Sequence, residues 1–115
     1  MTTLRPTTPV AGSQILAYGA ARGDQVVTND DLAGPIDSSD EWIRQRTGII
    51  TRKRASATVS VLDLARDAST DTIAKAGIDA GQIDAIICAT ISFEYQTPSL
   101  ATLLGAELGL SLIHI

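Results

Sequence analysis

The chain has 115 residues, enough for one modest domain or for part of a larger one. An apolar fraction of 44% and a charged fraction of 19% are ordinary for a globular protein, and they exclude a disordered, collagen-like or coiled-coil chain. The net charge of −4 argues against nucleic acid as a partner, because an acidic chain repels the phosphate backbone.

The sequence also bears on cellular location. The apolar stretches at 15–21 and 108–115 are too short to cross a bilayer, and the N-terminus does not resemble a signal peptide. Cys88 is the single cysteine, which excludes an internal disulfide and a CxxC metal or redox site. We therefore expect a cytoplasmic protein that has no membrane partner.

The first 37 residues are predicted to contain little regular structure. Residues 1–12, rich in Thr and Pro, are predicted to form a flexible tail. Residues 13–20 are apolar and lie between glycines, which is typical of a short buried strand. Residues 26–37 are rich in Asn, Asp, Gly and Pro, which favour turns, with one helical turn near Leu32.

Two helices follow with recognisable end signals. Ser38 and Glu41 have the spacing of a capping box, so the first helix is predicted to begin at Ser38 and to end at Gly48. The second helix has apolar residues mostly at i, i+3, i+4 spacing between a Ser60 cap and Gly77.

The C-terminal part combines an apolar run with a third helix. Residues 49–54 alternate too weakly to predict a strand, whereas residues 83–91 form a β-branched run that predicts a strand covered on both faces. Thr97 and Pro98 are predicted to be the cap and first-turn proline of a helix whose leucines share one side. This order of elements predicts an α/β fold with a central sheet.

A candidate ligand site lies on the first helix. Trp42 and Arg46 are four residues apart, so their side chains share a helix face. An indole can stack on a purine, and a guanidinium can bind a phosphate through paired charged hydrogen bonds. Further polar and basic residues follow the same segment: Ser38, Arg52, Lys53 and Arg54. The pattern indicates a site for an adenine nucleotide or coenzyme A, but the same spacing also suits an indole packed in the core beside a solvated guanidinium.

Residues 38–52, SSDEWIRQRTGIITR, resemble a segment near the N-terminus of β-ketoacyl-acyl carrier protein synthase III, the initiating condensing enzyme of the thiolase superfamily. VVTNDDL at 26–32 and DAIICAT at 84–90 are also similar to this family. The resemblance covers residues 13–109, whereas residues 110–115 diverge. It implies the N-terminal portion of the first half of a thiolase-like α/β fold, with a mixed central sheet and helices, that is incomplete and ends in a divergent truncated tail.

The resemblance also implies an activity and a site. In this family an acyl group passes from coenzyme A to a cysteine and then condenses with malonyl-acyl carrier protein, with decarboxylation, to give 3-oxoacyl-acyl carrier protein. Trp42 would stack on the adenine with Ser38 beside it. Arg46 and Thr47 would lie near the phosphate and ribose, at the mouth of the tunnel. Acyl-CoA and malonyl-acyl carrier protein would be substrates of a homodimer, with no cofactor and no metal.

Thr97 stands where family members that prefer acetyl have a phenylalanine that reaches across the dimer into the acyl pocket. A smaller side chain implies starters larger than acetyl. The family's catalytic Cys, His and Asn have no counterpart here, because Cys88 is expected to pack inside the predicted strand and His114 is expected to have no catalytic role. The chain alone is therefore expected to be inactive. The alternatives are a non-catalytic fragment and a starter-loading ketosynthase of polyketide synthesis.

Overall fold

The computed structural model describes residues 12–110. In chain order the elements are strand β1 (Gln25–Thr28), helix α1 (Asp30–Ala33), helix α2 (Asp40–Thr47), strand β2 (Thr51–Arg54), helix α3 (Val61–Ala76), a 3-10 turn (Ala80–Gln82) and helix α4 (Leu100–Glu107). The predicted tails, at 1–12 and 110–115, lie almost wholly outside the described residues. The described part is α/β, in agreement with the predicted class.

The two strands form an antiparallel pair. Gln25 lies opposite Arg54, and Thr28 lies opposite Thr51. The turn prediction for residues 26–37 is therefore wrong at its start, although the helical turn near Leu32 is confirmed by α1. Each strand is only four residues long, and the strands are separated by α2, so local periodicity does not reveal their pairing.

The N-cap of helix α2 lies one residue later than predicted, and the helix itself begins at Asp40. The Ser39 hydroxyl, not that of Ser38, accepts the amide N–H of Trp42 at 3.2 Å, so the predicted capping box is wrong. The end of the helix is as predicted. Gly48 has a φ of 70°, and its N–H donates to the carbonyl of Arg44 at 2.9 Å.

The other two long helices differ in how well their starts were predicted. Helix α3 begins after Ser60, whose hydroxyl accepts the Asp63 amide while the Asp63 carboxylate accepts the Ser60 amide, each at 3.0 Å. Helix α4 begins after Ser99, whose hydroxyl accepts the Thr102 amide at 3.3 Å. The predicted Thr97 cap is wrong, because the hydroxyl two residues further along is the one that reaches the open helix end.

The predicted strands at 13–20 and 83–91 are not formed within residues 12–110. Ile87 is 93% exposed and Ile91 is 97% exposed, so the expectation of a strand covered on both faces is wrong for this part of the chain. The run has the composition of a buried strand, but a strand also needs a neighbouring backbone to pair with. The predicted central sheet is accordingly replaced by the β1–β2 pair.

Few side chains in residues 12–110 are buried. The buried apolar residues are Ile43 on α2 and Leu104 on α4, and α4 packs against α3. The segment before β1 crosses α3 at Gly19, where a Cβ atom would overlap the Ala68 carbonyl oxygen. Glycine is therefore required there by the close approach of two backbones.

Candidate functional site

The paired side chains of the predicted site lie together on the surface of α2. The Arg46 guanidinium carbon is 5.3 Å from the centroid of the Trp42 ring, a cation–π geometry. The indole is 53% exposed. Ile43, the next residue on the helix, is the one that turns inward and is buried. The two side chains therefore share a helix face, and Trp42 does not pack in a core formed by residues 12–110.

This stack has a defined chemical capacity. Arg46 covers one face of the indole, so a planar ligand can stack on the opposite face or take the place of the guanidinium. A guanidinium released from the ring has its full set of N–H donors for an anion. The pair therefore offers an aromatic surface and a positive charge within one helical turn.

The helix that carries the stack is attached through Asn29, a residue that sequence reasoning treated only as part of a turn. Its side-chain amide donates to the Asp40 carboxylate at 2.7 Å and to the Ile49 carbonyl at 2.8 Å. Its carbonyl oxygen accepts a hydrogen bond from the Arg52 guanidinium. Arg52 also donates to the Thr28 carbonyl at 3.0 Å. No local sequence signal distinguishes such a residue from a turn asparagine, because its partners are 11 to 23 residues away.

Asp40, the first residue of α2, carries a stabilised negative charge. The Asn29 amide holds the pKa of this carboxyl below its usual value, and the hydrogen bond and charge of Arg44 act in the same direction. Arg44 lies 2.8 Å from the carboxylate. A carboxylate in the first turn also interacts favourably with the positive end of the helix dipole.

Ser38 and Thr47 lie at the two ends of α2, but their hydroxyl groups face the protein. The Ser38 oxygen is buried and has no hydrogen-bond partner within residues 12–110. The Thr47 hydroxyl donates to the Ile43 carbonyl at 2.8 Å and accepts the Ile49 amide at 3.1 Å. In this conformation the first is closed off from the surface, and the second serves the end of the helix.

The predicted basic patch divides into residues with different surroundings. Arg52 is held by Asn29 and the strand, as described above, whereas Lys53 and Arg54 are exposed on β2. Arg52 and Lys53 line an open cavity of about 530 Å³ together with Arg22. An anion could bind in this cavity, but the guanidinium of Arg52 already has hydrogen-bond partners in the protein.

A second cavity, of about 280 Å³, lies between the segment after residue 83 and the start of α4. It is lined by apolar and small side chains that include Cys88, Phe93, Tyr95 and Leu100. Cys88 is half-buried at this cavity. It was expected to lie inside a strand, but residues 83–91 form no strand. Thr97 is exposed and does not line the cavity.

Within residues 12–110, no three His, Cys, Asp or Glu side chains lie close enough together to hold a metal ion. In the same part of the chain, no helix combines the length and apolar character needed to traverse a lipid bilayer.

The chain is similar in sequence to known ketosynthases. β-Ketoacyl-[acyl-carrier-protein] synthase III of Kocuria rhizophila is 48% identical over 109 residues, which are 95% of this chain and 31% of the relative. The synthase III of Tropheryma whipplei is 48% identical over 84% of this chain and 30% of the relative. The chain thus spans about a third of the length of these curated relatives. No protein-family model matches it.

Solved structures have the same backbone arrangement. 3-Oxoacyl-[acyl-carrier-protein] synthase III from Aquifex aeolicus matches with a TM-score of 0.82 and 33% identity, over 90% of this chain and 33% of that one. The priming β-ketosynthase of the R1128 polyketide pathway matches with a TM-score of 0.79 and 32% identity, over 84% of this chain and 29% of that one.

The described residues therefore have the fold of part of a thiolase-like ketosynthase, with helices and a small antiparallel sheet. Within that class, the chain is a homologue of β-ketoacyl-[acyl-carrier-protein] synthase III over about a third of that enzyme's length. The family resemblance and the thiolase-like fold class predicted from the sequence are confirmed.

Proposed function

We propose that this chain is the N-terminal part of a longer β-ketoacyl-acyl carrier protein synthase III, which we call the complete synthase, and that it supplies the mouth of the coenzyme A site. The reaction would join an acyl-CoA starter to malonyl-acyl carrier protein and give 3-oxoacyl-acyl carrier protein. The observation that carries the site is the exposed Trp42 ring with Arg46 stacked upon it. Homology to synthases of this name supports the reaction.

The proposed binding mode follows from the chemistry of the pair. The adenine would stack on the Trp42 indole, and Arg46 would leave the ring to bind a phosphate. Ser38 would lie beside the adenine and Thr47 near the ribose after a rotation of their side chains, since both hydroxyl groups face the protein in the structure. Lys53, Arg54 and the neighbouring Arg52 would add positive potential around the anionic ligand.

The chemical steps would use residues outside this chain. A cysteine of the complete synthase would take the acyl group from the thioester and release the coenzyme A thiol. Loss of CO2 from malonyl would then generate the carbanion that attacks the acyl-enzyme thioester, the C–S bond would break to release the cysteine as its thiolate, and a His and an Asn would stabilise the developing charge. The 115 residues alone would be inactive, and Cys88 would not serve as the nucleophile, because it lies beside an apolar cavity.

The exposed apolar surface supports the larger assembly. Large apolar side chains that are more than half exposed include Ile15, Tyr18, Ile87, Ile91 and Tyr95. Soluble monomers rarely expose large apolar patches, so the rest of the synthase and a second subunit would cover these side chains. We propose a homodimer that acts in the cytoplasm with no bound cofactor, acyl-CoA being a substrate. A non-catalytic fragment remains the alternative for the chain taken by itself.

Thr97 is the proposed determinant of starter size. Its side chain is small and exposed, and it lies three residues before the start of α4. In the dimer it would leave more room in the partner's acyl pocket than a phenylalanine, so the complete synthase would accept branched or longer starters. Rates with acetyl-, isobutyryl- and longer acyl-CoA test this. A strict preference for acetyl would defeat it.

A starter-loading role in polyketide synthesis is the second candidate. It is favoured by the similarity to the priming β-ketosynthase of the R1128 pathway, which is 32% identical. Both candidates use the same coenzyme A mouth. They differ in the acyl carrier protein that accepts the product, so condensation assays with carrier proteins from the two kinds of pathway separate them.

The coenzyme A site is tested by substituting Trp42 in the complete synthase. Trp42→Ala is expected to weaken coenzyme A binding by about 1–3 kcal/mol, the contribution of one base–aromatic stack. Trp42→Phe should restore part of the loss because it keeps an aromatic face. Lys75→Ala, at an exposed residue of α3, is the control and should not change the dissociation constant measured by titration calorimetry. Unchanged affinity in Trp42→Ala would refute the proposed site.

A further inference from the structure

Asn29 is unusual among the described residues because its side chain is polar and fully buried, at 1% exposure. A buried amide is costly unless its hydrogen-bonding groups are satisfied. Here both N–H groups of the amide donate and the oxygen accepts. A fully satisfied buried group fixes geometry, because any displacement breaks bonds that water cannot replace.

The two acceptors of the amide lie at opposite ends of α2. Asp40 is the first residue of the helix, and Ile49 is two residues beyond its last. An isolated helix of eight residues is marginal in water, so its position depends on tertiary contacts. Within residues 12–110, α2 buries a single side chain, Ile43. The hydrogen bonds of Asn29 therefore attach α2 to the rest of the described residues in addition to the packing of Ile43, and they do so at both ends of the helix.

The oxygen of the same amide connects the helix to the sheet. It accepts from Arg52 on β2, and Arg52 also donates to the carbonyl of Thr28 on β1. One side chain thus joins both strands and both ends of α2. The partners of this amide set the orientation of the helix relative to the sheet.

We infer that Asn29 is the positioning residue of the coenzyme site, and that it holds α2 so that Trp42 and Arg46 face the ligand. This inference rests on the proposed function. The amide chemistry is specific, because only a side chain with two donors and one acceptor at this distance satisfies Asp40, Ile49 and Arg52 together. Aspartate has the same shape and keeps the acceptor for Arg52, but it places a second carboxylate against Asp40 and an oxygen against the Ile49 carbonyl.

The test uses Asn29→Asp in the complete synthase, with hydrogen exchange and coenzyme A affinity as the two readouts. We expect the amides of α2 to exchange roughly tenfold faster while those of α3 stay unchanged, because the lost bonds attach α2 alone. Coenzyme A should bind roughly tenfold more weakly, since the stack and the guanidinium are no longer presented in one orientation.

Rescue and control variants separate positioning from general destabilisation. The double variant, Asn29→Asp with Asp40→Asn, exchanges the amide and the carboxylate between the two positions. The hydrogen bond between them can then form in the reverse direction, so part of the α2 protection and of the affinity should return, while the bond to the Ile49 carbonyl stays lost. Leu104→Ala, which empties a buried position on α4, should loosen the protein without a selective change in α2.

The possible outcomes distinguish the inference from the function on which it rests. If the unmodified synthase does not bind coenzyme A, the proposed function fails, and a selective loss of α2 protection in Asn29→Asp would still establish that Asn29 holds the helix. If coenzyme A binds equally well to the unmodified protein and to Asn29→Asp, the positioning role is overturned while the proposed function stands. Equal acceleration of α2 and α3, without rescue by Asp40→Asn, would also overturn it.

Discussion

Two regions of this chain differ in how far their interactions are completed within residues 12–110. In the hairpin unit, residues 25–54, the two strands pair with each other and one buried amide ties them to α2. In the apolar segment, residues 83–99, Ile87 and Ile91 are almost wholly exposed and no strand pairing is formed within residues 12–110. The first region pairs its strands and satisfies its buried Asn29 amide, whereas the second has the composition of a core strand but no core around it within residues 12–110.

The difference follows from the range of the interactions that each region needs. Hydrogen bonds of the hairpin unit join residues no more than 29 positions apart, as in the pairing of Gln25 with Arg54. A parallel or central strand needs partners on two sides, which come from distant parts of a sequence. We therefore expect the hairpin unit to be specified within this chain, and the apolar segment to depend on the rest of the complete synthase.

The largest expected effect reverses sign between the two forms of the protein. Ile87→Asp should raise the soluble yield of the 115-residue chain, because it replaces an exposed apolar side chain by a charge. In the complete synthase the same change should abolish folding, since an unpaired charge would be buried at a cost of several kcal/mol. Ile43→Asp, at a position buried within this chain, is the control and should be harmful in both forms. Tolerance of Ile87→Asp by the complete synthase would show that the segment is not covered.

A smaller effect tests the hairpin unit by comparing two neighbouring cations on β2. Arg52→Ala should destabilise the complete synthase by about 1–3 kcal/mol, because it leaves the buried oxygen of Asn29 without a donor. Lys53→Ala removes an exposed cation from the same strand and should change the free energy of unfolding by less than about 0.5 kcal/mol. Urea denaturation measures both. Equal effects of the two substitutions would contradict the structural role assigned to Arg52.

The smallest expected effect is a dependence on pH. The Asn29 amide, and then Arg44, lower the pKa of Asp40, and the amide and hydroxyl of Thr28 lower the pKa of Asp31. A folded pKa below the unfolded value of about 3.9 means that stability is fully present above about pH 4 and is lost as the pH falls through the folded pKa.

Melting curves between about pH 7 and about pH 3 measure this dependence in the complete synthase. Asp40→Asn should melt with a smaller loss across that range than the unmodified protein, because it no longer takes up a proton there. A loss of the same size in both proteins would remove Asp40 from the explanation.

The candidate site was predictable where its signal is local. Trp42 and Arg46 share a helix face because they are four residues apart, and the structure brings them within 5.3 Å. The end signals of Gly48, Ser60 and Gly77 also identified helix ends correctly, because each acts on amides or carbonyls within four residues. The N-cap of α2 was misplaced by one residue because two adjacent serines offer the same hydroxyl.

The sequence by itself determined the helices, the Trp42–Arg46 pair and the kinship with synthase III, because all three are written in short spacings and contiguous motifs. Tertiary structure alone decided that 25–28 pairs with 51–54, that Asn29 is buried between them, and that Arg52 serves the protein before any ligand. The physical reason is that strand pairing and burial depend on groups that are distant in the sequence and close in space, and a local sequence pattern contains no information about them.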